Sequence, residues 1–118
     1  MSGNVKAWKE QRIEDKVLWI QVPGELDHHS AERICREADA LVRERDIREI
    51  VFDFSETVFC DSSGIGMLMG RYKMMKALGG TVRAVQVQER VSRLLMLSGV
   101  MKLIPVEAKQ GGMENEQK

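Results

Sequence analysis

Length and composition indicate one small folded domain: the chain has 118 residues, of which 43% are hydrophobic and 31% are charged, a balance atypical of disordered proteins. Its 18 basic and 18 acidic residues cancel, which argues against a nucleic-acid-binding protein, since such proteins usually carry a basic excess. No apolar run is long enough to cross a membrane and the first residues lack the apolar segment of a signal peptide, so we expect a cytoplasmic protein with reduced thiols.

The hydrophobic pattern predicts five strands and three helices. The first two strands, over residues 5–13 and 16–22, flank a polar turn at Glu14–Asp15 and are typical of a β-hairpin. The later predicted elements are a helix over 30–46 with Ser30 as its N-cap, a strand over 48–54, a helix from 62 to the pair Gly79–Gly80, a strand over 81–87, a helix over 89–99 and a strand over 101–106.

This order of elements predicts an α/β fold. Strands that alternate with helices indicate a mainly parallel sheet with right-handed crossovers, here preceded by an antiparallel hairpin. We therefore predict one domain over residues 5–106. The remaining segment, 107–118, is polar, and we expect a disordered tail there because it has almost no apolar side chain to bury.

The second helix, which begins at "DSSG", carries glycines where a helix gains nothing from them. With Asp61 as the N-cap, a helical wheel turns one set of side chains inward: Ile65, Leu68, Met69, Tyr72 and Met75. The opposite set is Ser63, Gly66, Met67, Gly70 and Met74, with Arg71 and Lys73 at its edges. A glycine inside a helix costs about 1 kcal/mol relative to alanine. We hypothesise that the outward glycines and methionines form an adaptable surface that another protein approaches closely.

The two serines at the start of this helix suggest a site of modification. Free N–H groups and the helix dipole favour an anion there, so a phosphate on Ser62 or Ser63 can be accommodated and adds about −1.5 to −2 charge. The simpler interpretation is that Asp61 and the serines only cap the helix. The wheel places Ser63 further outward than Ser62, and the residues alone do not choose between them.

Four segments give the sequence a family resemblance: "GELDHHSAE" (24–32), "FCDSSGIGMLMGRYK" (59–73), "GGTVRAV" (79–85) and "RLLMLSGVMKLI" (93–104). In this order and spacing they resemble STAS-domain anti-sigma factor antagonists, and most closely those that act on sigma-F in sporulation. The resemblance implies the STAS fold, a mixed and mainly parallel sheet with helices packed against it. It also implies a protein without enzymatic activity, cofactor, metal or catalytic residue.

The resemblance further implies a function and its residues. The unphosphorylated protein would bind an anti-sigma factor that is also a serine kinase, phosphorylation would end the binding, and a PP2C-type phosphatase would reverse it. No nucleic acid or membrane would be bound. The phosphorylated serine would be Ser62, and its neighbours would be Asp27, Asp61, Ser63 and Gly64. The partner surface would comprise Glu25, His28, His29, Gly66, Met67, Gly70, Arg71 and Met74.

Several alternatives remain at this stage. A STAS module of general stress signalling, a scaffold for other STAS domains and a nucleotide-binding variant are each compatible with the same motifs. Family members usually finish with an amphipathic helix, whereas residues 107–118 have no apolar stripe, which puts any role of this tail in doubt.

The motif "LDHH" is a weak metal or phosphoesterase signature, "CDSSG" lacks the first glycine of a hydrolase elbow, and "GIGMLMG" has the wrong spacing for a dinucleotide loop. Cys60 is more typical of a small core residue than of a reactive thiol.

Overall fold

The computed structural model describes residues 11–109, which form a mixed β-sheet with helices packed on one face. The elements in chain order are β1 (Gln11–Glu14), β2 (Val17–Gln21), β3 (Glu25–Leu26), α1 (His28–Glu44), β4 (Glu49–Asp53), β5 (Phe59–Cys60), α2 (Ser62–Ala77), β6 (Thr81–Val87), α3 (Glu89–Ser98), a 3₁₀ turn (Val100–Lys102) and β7 (Val106–Ala108). The main sheet has five strands in the order β1-β2-β4-β6-β7. The predicted α/β architecture is confirmed.

Strand pairing follows the sequence prediction. β1 and β2 are antiparallel, whereas β2, β4, β6 and β7 pair in parallel. The hairpin turn lies at Asp15 and Lys16, one residue later than predicted, with left-handed φ values of 51° and 68° that suit the twist of a two-residue loop. The beginning of the first predicted strand, residues 5–10, lies outside the described residues.

Alternation along the strands separates the two faces of the sheet. The face toward the helices carries Leu18, Ile20, Ile50, Phe52, Val82 and Ala84, which join the buried residues of all three helices in one core. On the opposite face Trp19 is aligned with Val51 and Arg83, and the Arg83 guanidinium lies 5.9 Å from the Trp19 ring. The buried side chains that hold the three helices on the sheet therefore lie on one of its faces.

Two local predictions are wrong. Ser30 is not the N-cap of α1, because Asp27 takes that position and Ser30 lies three residues into the turn. The strand predicted over residues 101–106 is misplaced, because residues 101–105 do not form a strand and only Val106 belongs to β7. Val100 and Ile104, both buried, are four residues apart, and the Ile104 N–H donates to the Val100 carbonyl, so this segment turns rather than extends.

The last strand crosses the predicted domain boundary. β7 comprises Val106–Ala108 and pairs in parallel with β6, so the predicted tail begins inside a strand. The part of that tail from residue 110 to 118 lies outside the described residues. Within residues 11–109, no helix is both long enough and apolar enough to cross a bilayer.

Candidate functional site

A second, two-stranded sheet brings the two predicted site segments together. β3 pairs in parallel with β5, so that Leu26 lies opposite Cys60. One residue further on, the Asp61 N–H donates to the Leu26 carbonyl at 3.2 Å. Asp27 and Asp61 therefore follow neighbouring strand ends, and α1 and α2 begin side by side at the carboxyl edge of the parallel strands.

Each of these two helices is capped by its aspartate. Asp27 accepts a hydrogen bond from the Ser30 N–H at 3.0 Å, while Ser30 Oγ accepts one from the Asp27 N–H at 3.0 Å. The Ser30 backbone and hydroxyl donors stabilise the carboxylate and lower the pKa of Asp27. Asp61 Oδ1 accepts from the Ser63 N–H at 2.8 Å. The carboxylates thus occupy amides that a bound anion would otherwise use.

The structure distinguishes the two serines. Ser62 is the first residue of α2 and is exposed, whereas Ser63 is half-buried. The wheel-based expectation that Ser63 is more outward is therefore wrong. The reason is that the buried stripe of α2 runs through Gly64, Met67, Leu68 and Met75 and is rotated away from the predicted one.

The three glycines of α2 have two different roles. A Cβ on Gly64 would lie 2.5 Å from Cys60 Sγ and 2.8 Å from Leu26 Cδ2, so the missing side chain lets the helix start pack on the two-stranded sheet. A Cβ on Gly66 or Gly70 would have no atom within 4 Å. Gly66 is exposed as predicted and Gly70 is half-buried. Packing thus explains Gly64, and it gives no reason for the other two glycines.

Three residues predicted on the outward face of α2 lie elsewhere. Met67 is only 1% exposed, so its predicted outward position is wrong. The Arg71 side chain is 12% exposed and its Nε lies 3.1 Å from Asp39 Oδ1, which joins α2 to α1 instead of presenting a free guanidinium. Met74 is half-buried and packs against the core.

The residues predicted to form the loop before α1 lie in regular structure instead, because Glu25 belongs to β3 and His28 and His29 form the first turn of α1. Glu25, His28 and His29 are exposed at the start of α1, and the two imidazole rings meet edge to face with centroids 5.7 Å apart. His28 Nε2 is 3.9 Å from Glu32 Oε1, one helical turn away. Among residues 11–109, no group of three or more His, Cys, Asp or Glu side chains is placed to hold a metal ion.

Comparison with known proteins identifies the family. A family model described as "STAS domain" matches residues 9–111. The chain belongs to the STAS-domain family. A relative named anti-sigma F factor antagonist, from Paenibacillus polymyxa, is 37% identical over 90 residues, which cover 76% of this chain and 77% of the relative. The anti-sigma-B factor antagonist of Bacillus subtilis is 33% identical over 100 residues, covering 82% and 88%.

A solved structure supports the same fold for this STAS domain. The anti-sigma factor antagonist SpoIIAA in its unphosphorylated form superposes with a TM-score of 0.75 at 23% identity. The match covers 89% of this chain and 92% of SpoIIAA. At this identity the likeness establishes the fold alone.

Two exposed apolar residues of this STAS domain were missed by the sequence analysis. Val58 and Phe59, just before the site, are 54% and 49% exposed. No periodicity in the sequence signals them, because Val58 and Phe59 are adjacent and both exposed, and the strand that begins at Phe59 has only two residues.

Cys60, in the same segment as Phe59, is partly buried, and burial followed by the nearby Asp61 charge raises its pKa to about 11. The thiol is therefore protonated at neutral pH, in keeping with a structural role.

Proposed function

We propose that this STAS domain is an anti-sigma factor antagonist gated by phosphorylation of Ser62. The unmodified protein binds an anti-sigma factor that is also a serine kinase and so releases the sigma factor. Phosphoryl transfer from ATP to Ser62 Oγ ends the association, and a PP2C-type phosphatase restores the hydroxyl. The protein acts as a binding module, not as an enzyme. The proposed partner controls a sigma subunit of RNA polymerase, so we place the proposed activity in the cytoplasm.

The observation that carries this proposal is that Ser62 is exposed and follows Asp61, whose carboxylate caps α2. Ser62 is the exposed member of the serine pair, so it is the hydroxyl that a kinase can reach. The neighbouring Asp61 carboxylate already accepts from the Ser63 N–H. A phosphate on Ser62 therefore adds its charge beside an existing negative charge, and closing a protein interface over both requires a large desolvation energy.

The surroundings of Ser62 support a docking surface. Gly66 lies one helical turn further along α2, and a Cβ added at this position would have no atom within 4 Å, so the backbone is open to close approach. The start of α1 adds exposed Glu25, His28 and His29 beside it. This surface is the proposed partner site. It does not include Met67, which is buried, and Arg71 contributes mainly through its ion pair with Asp39.

The names of the relatives support the partner class. They are antagonists of anti-sigma F and anti-sigma-B factors, so the second candidate is an equivalent role in general stress signalling. The 37% identical relative favours the sporulation pathway over the stress pathway for this chain.

Binding to purified anti-sigma-F and anti-sigma-B serine kinases tests the proposal. With ADP present we expect a stable complex with one of them, and with ATP we expect the complex to dissociate as a single phosphate appears on Ser62 by mass spectrometry. Ser62→Ala should remain bound in ATP, and Ser62→Asp should bind about 100-fold more weakly, equivalent to about 2.7 kcal/mol.

Ser63→Ala is the matched control, because it removes the neighbouring hydroxyl and keeps Ser62. This variant should still be phosphorylated and released. Phosphate found on Ser63 alone, or equal affinity of Ser62→Asp and the unmodified protein, would overturn the proposal.

A further inference from the structure

A groove lies beside the proposed site, between the segment that leads into β5 and the first turn of α3. Its volume is about 560 Å³, and it is lined by Val58, Gln88, Glu89, Arg90 and Arg93. Phe59, which follows Val58 in the chain, is 49% exposed. None of these residues belongs to the surface predicted from the sequence.

Hydrogen bonds hold both walls of the groove in place. Thr57 is fully buried, and its Oγ1 donates to the Pro23 carbonyl at 2.9 Å, while the Val58 N–H donates to the Gly24 carbonyl at 2.9 Å. On the other wall, Gln88 Nε2 donates to the Ser55 carbonyl at 3.3 Å. A surface fixed in this way loses little conformational entropy when a partner binds.

Val58 is the one apolar side chain among the residues that line the groove, and Arg90, Arg93 and Glu89 give its rim one net positive charge. Arg93 lies 3.3 Å from Glu89 as an exposed pair, and Arg90 adds a further positive charge. The chain as a whole has no net charge, so this positive rim is a local property. Arginine and aromatic side chains are enriched at the centre of protein interfaces, and Arg90, Arg93 and the neighbouring Phe59 are exposed residues of these types.

We propose that this groove binds an acidic segment of the anti-sigma kinase, with an apolar side chain against Val58 and Phe59 and carboxylates beside Arg90 and Arg93. The inference rests on the proposed function. Val58 is four residues before Ser62, at most about 14 Å of extended chain, so a protein that covers Ser62 can reach the groove as well. Because the groove lies outside the phosphorylated helix start, it sets which kinase is accepted without itself being the switch.

Titration calorimetry of the full chain with the anti-sigma-F or anti-sigma-B kinase and ADP tests this inference. Val58→Ser and Arg90→Glu should each raise Kd about tenfold or more. Arg90→Glu should also weaken the dependence of the association rate on salt, because it removes a steering charge. Urea unfolding of each variant verifies that the fold is intact.

Two control variants change the same residue types elsewhere on the surface. Leu78→Ser replaces an apolar side chain that is 62% exposed at the C-cap of α2, about 24 Å of helix from Ser62. Arg43→Glu reverses a charge in the last turn of α1, about 24 Å of helix from its start. Both should bind within about twofold of the unmodified protein.

The outcomes separate the groove from the proposed function. If Ser62→Asp loses binding while Val58→Ser and Arg90→Glu bind normally, the groove inference is wrong and the proposed function stands. If the groove variants lose no more affinity than the controls, the same conclusion holds. If the unmodified protein binds neither kinase, both proposals fail.

Discussion

The same substitution at three glycines of α2 should change stability in opposite directions. Gly66→Ala and Gly70→Ala each add a methyl group with no atom within 4 Å, so each should raise the free energy of unfolding by about 0.5–1 kcal/mol through helix propensity alone. Gly64→Ala would place its methyl carbon 2.5 Å from Cys60 Sγ and 2.8 Å from Leu26 Cδ2. Carbon atoms normally pack about 3.5–4 Å apart, so either the start of the helix or the Cys60 and Leu26 side chains must move.

The balance at Gly64 can be estimated from these contacts. Overpacking a core site costs about 1–3 kcal/mol, and the propensity gain of about 1 kcal/mol offsets only part of it. We therefore expect Gly64→Ala to lower the free energy of unfolding by up to about 2 kcal/mol. Urea unfolding followed by circular dichroism measures all three variants, provided that the slope with denaturant stays constant. Stabilisation of Gly64→Ala to the same extent as Gly66→Ala would refute this reasoning.

The glycine variants also test the proposed docking surface. Gly66→Ala should bind the kinase more weakly even though it is more stable, because its methyl group would separate the two backbones at the contact. If both Gly66→Ala and Gly70→Ala raise stability and neither weakens binding, these glycines do not serve partner approach.

Three further predictions concern the charges and thiols near the site. Arg71→Met should lower the free energy of unfolding by about 1–3 kcal/mol, because it leaves the Asp39 carboxylate without its cation, and adding Asp39→Leu should recover most of the loss in the same urea assay. The fold lowers the pKa of Asp27, so the ionised Asp27 carboxylate stabilises the protein fully above pH 3.8, the ordinary pKa, and this stabilisation is lost as pH falls through the lowered pKa. The difference in melting temperature between the unmodified protein and Asp27→Asn should therefore shrink on acidification. A difference that does not depend on pH would contradict this prediction. In a Cys35→Ser background, the Cys60 thiol should react slowly with an aromatic disulfide at about pH 8, because its pKa is about 11. The reaction rate should rise about tenfold per pH unit up to about pH 10. A fast reaction at about pH 8 would show an accessible thiolate and contradict the prediction.

The sequence predicted the main sheet well because its strands have strong local patterns. The hairpin, the buried strand "EIVFD" and the strand "TVRAVQV" combine β-branched residues with clear boundaries, and each is present in the structure. The strands β3 and β5 were missed because a two-residue strand has no periodicity to detect. Their pairing is what joins the two site segments, so the proximity of Asp27 and Asp61 was available only from the family resemblance.

The orientation of α2 could not be obtained from hydrophobicity. Its first turn has no room for a Cβ at Gly64, where Cys60 and Leu26 pack against it, and a glycine contributes nothing to a hydrophobic wheel. Its buried side also includes most of Arg71, whose charge is compensated by Asp39 from another helix. Both effects arise from tertiary contacts. The wheel was consequently rotated, which reversed the order of exposure of Ser62 and Ser63 and placed Met67 outside.

The hairpin turn at Asp15 and Lys16 has a practical use. It precedes β2 and therefore lies at the amino edge of the parallel strands, whereas Asp27, Asp61 and Ser62 follow the strands at the carboxyl edge. The five residues of β2 alone separate these edges by about 16 Å. A biotin or fluorophore attached at this turn would tether the molecule to a sensor chip with its opposite end facing the solution, so that kinase capture can be recorded without steric interference from the support.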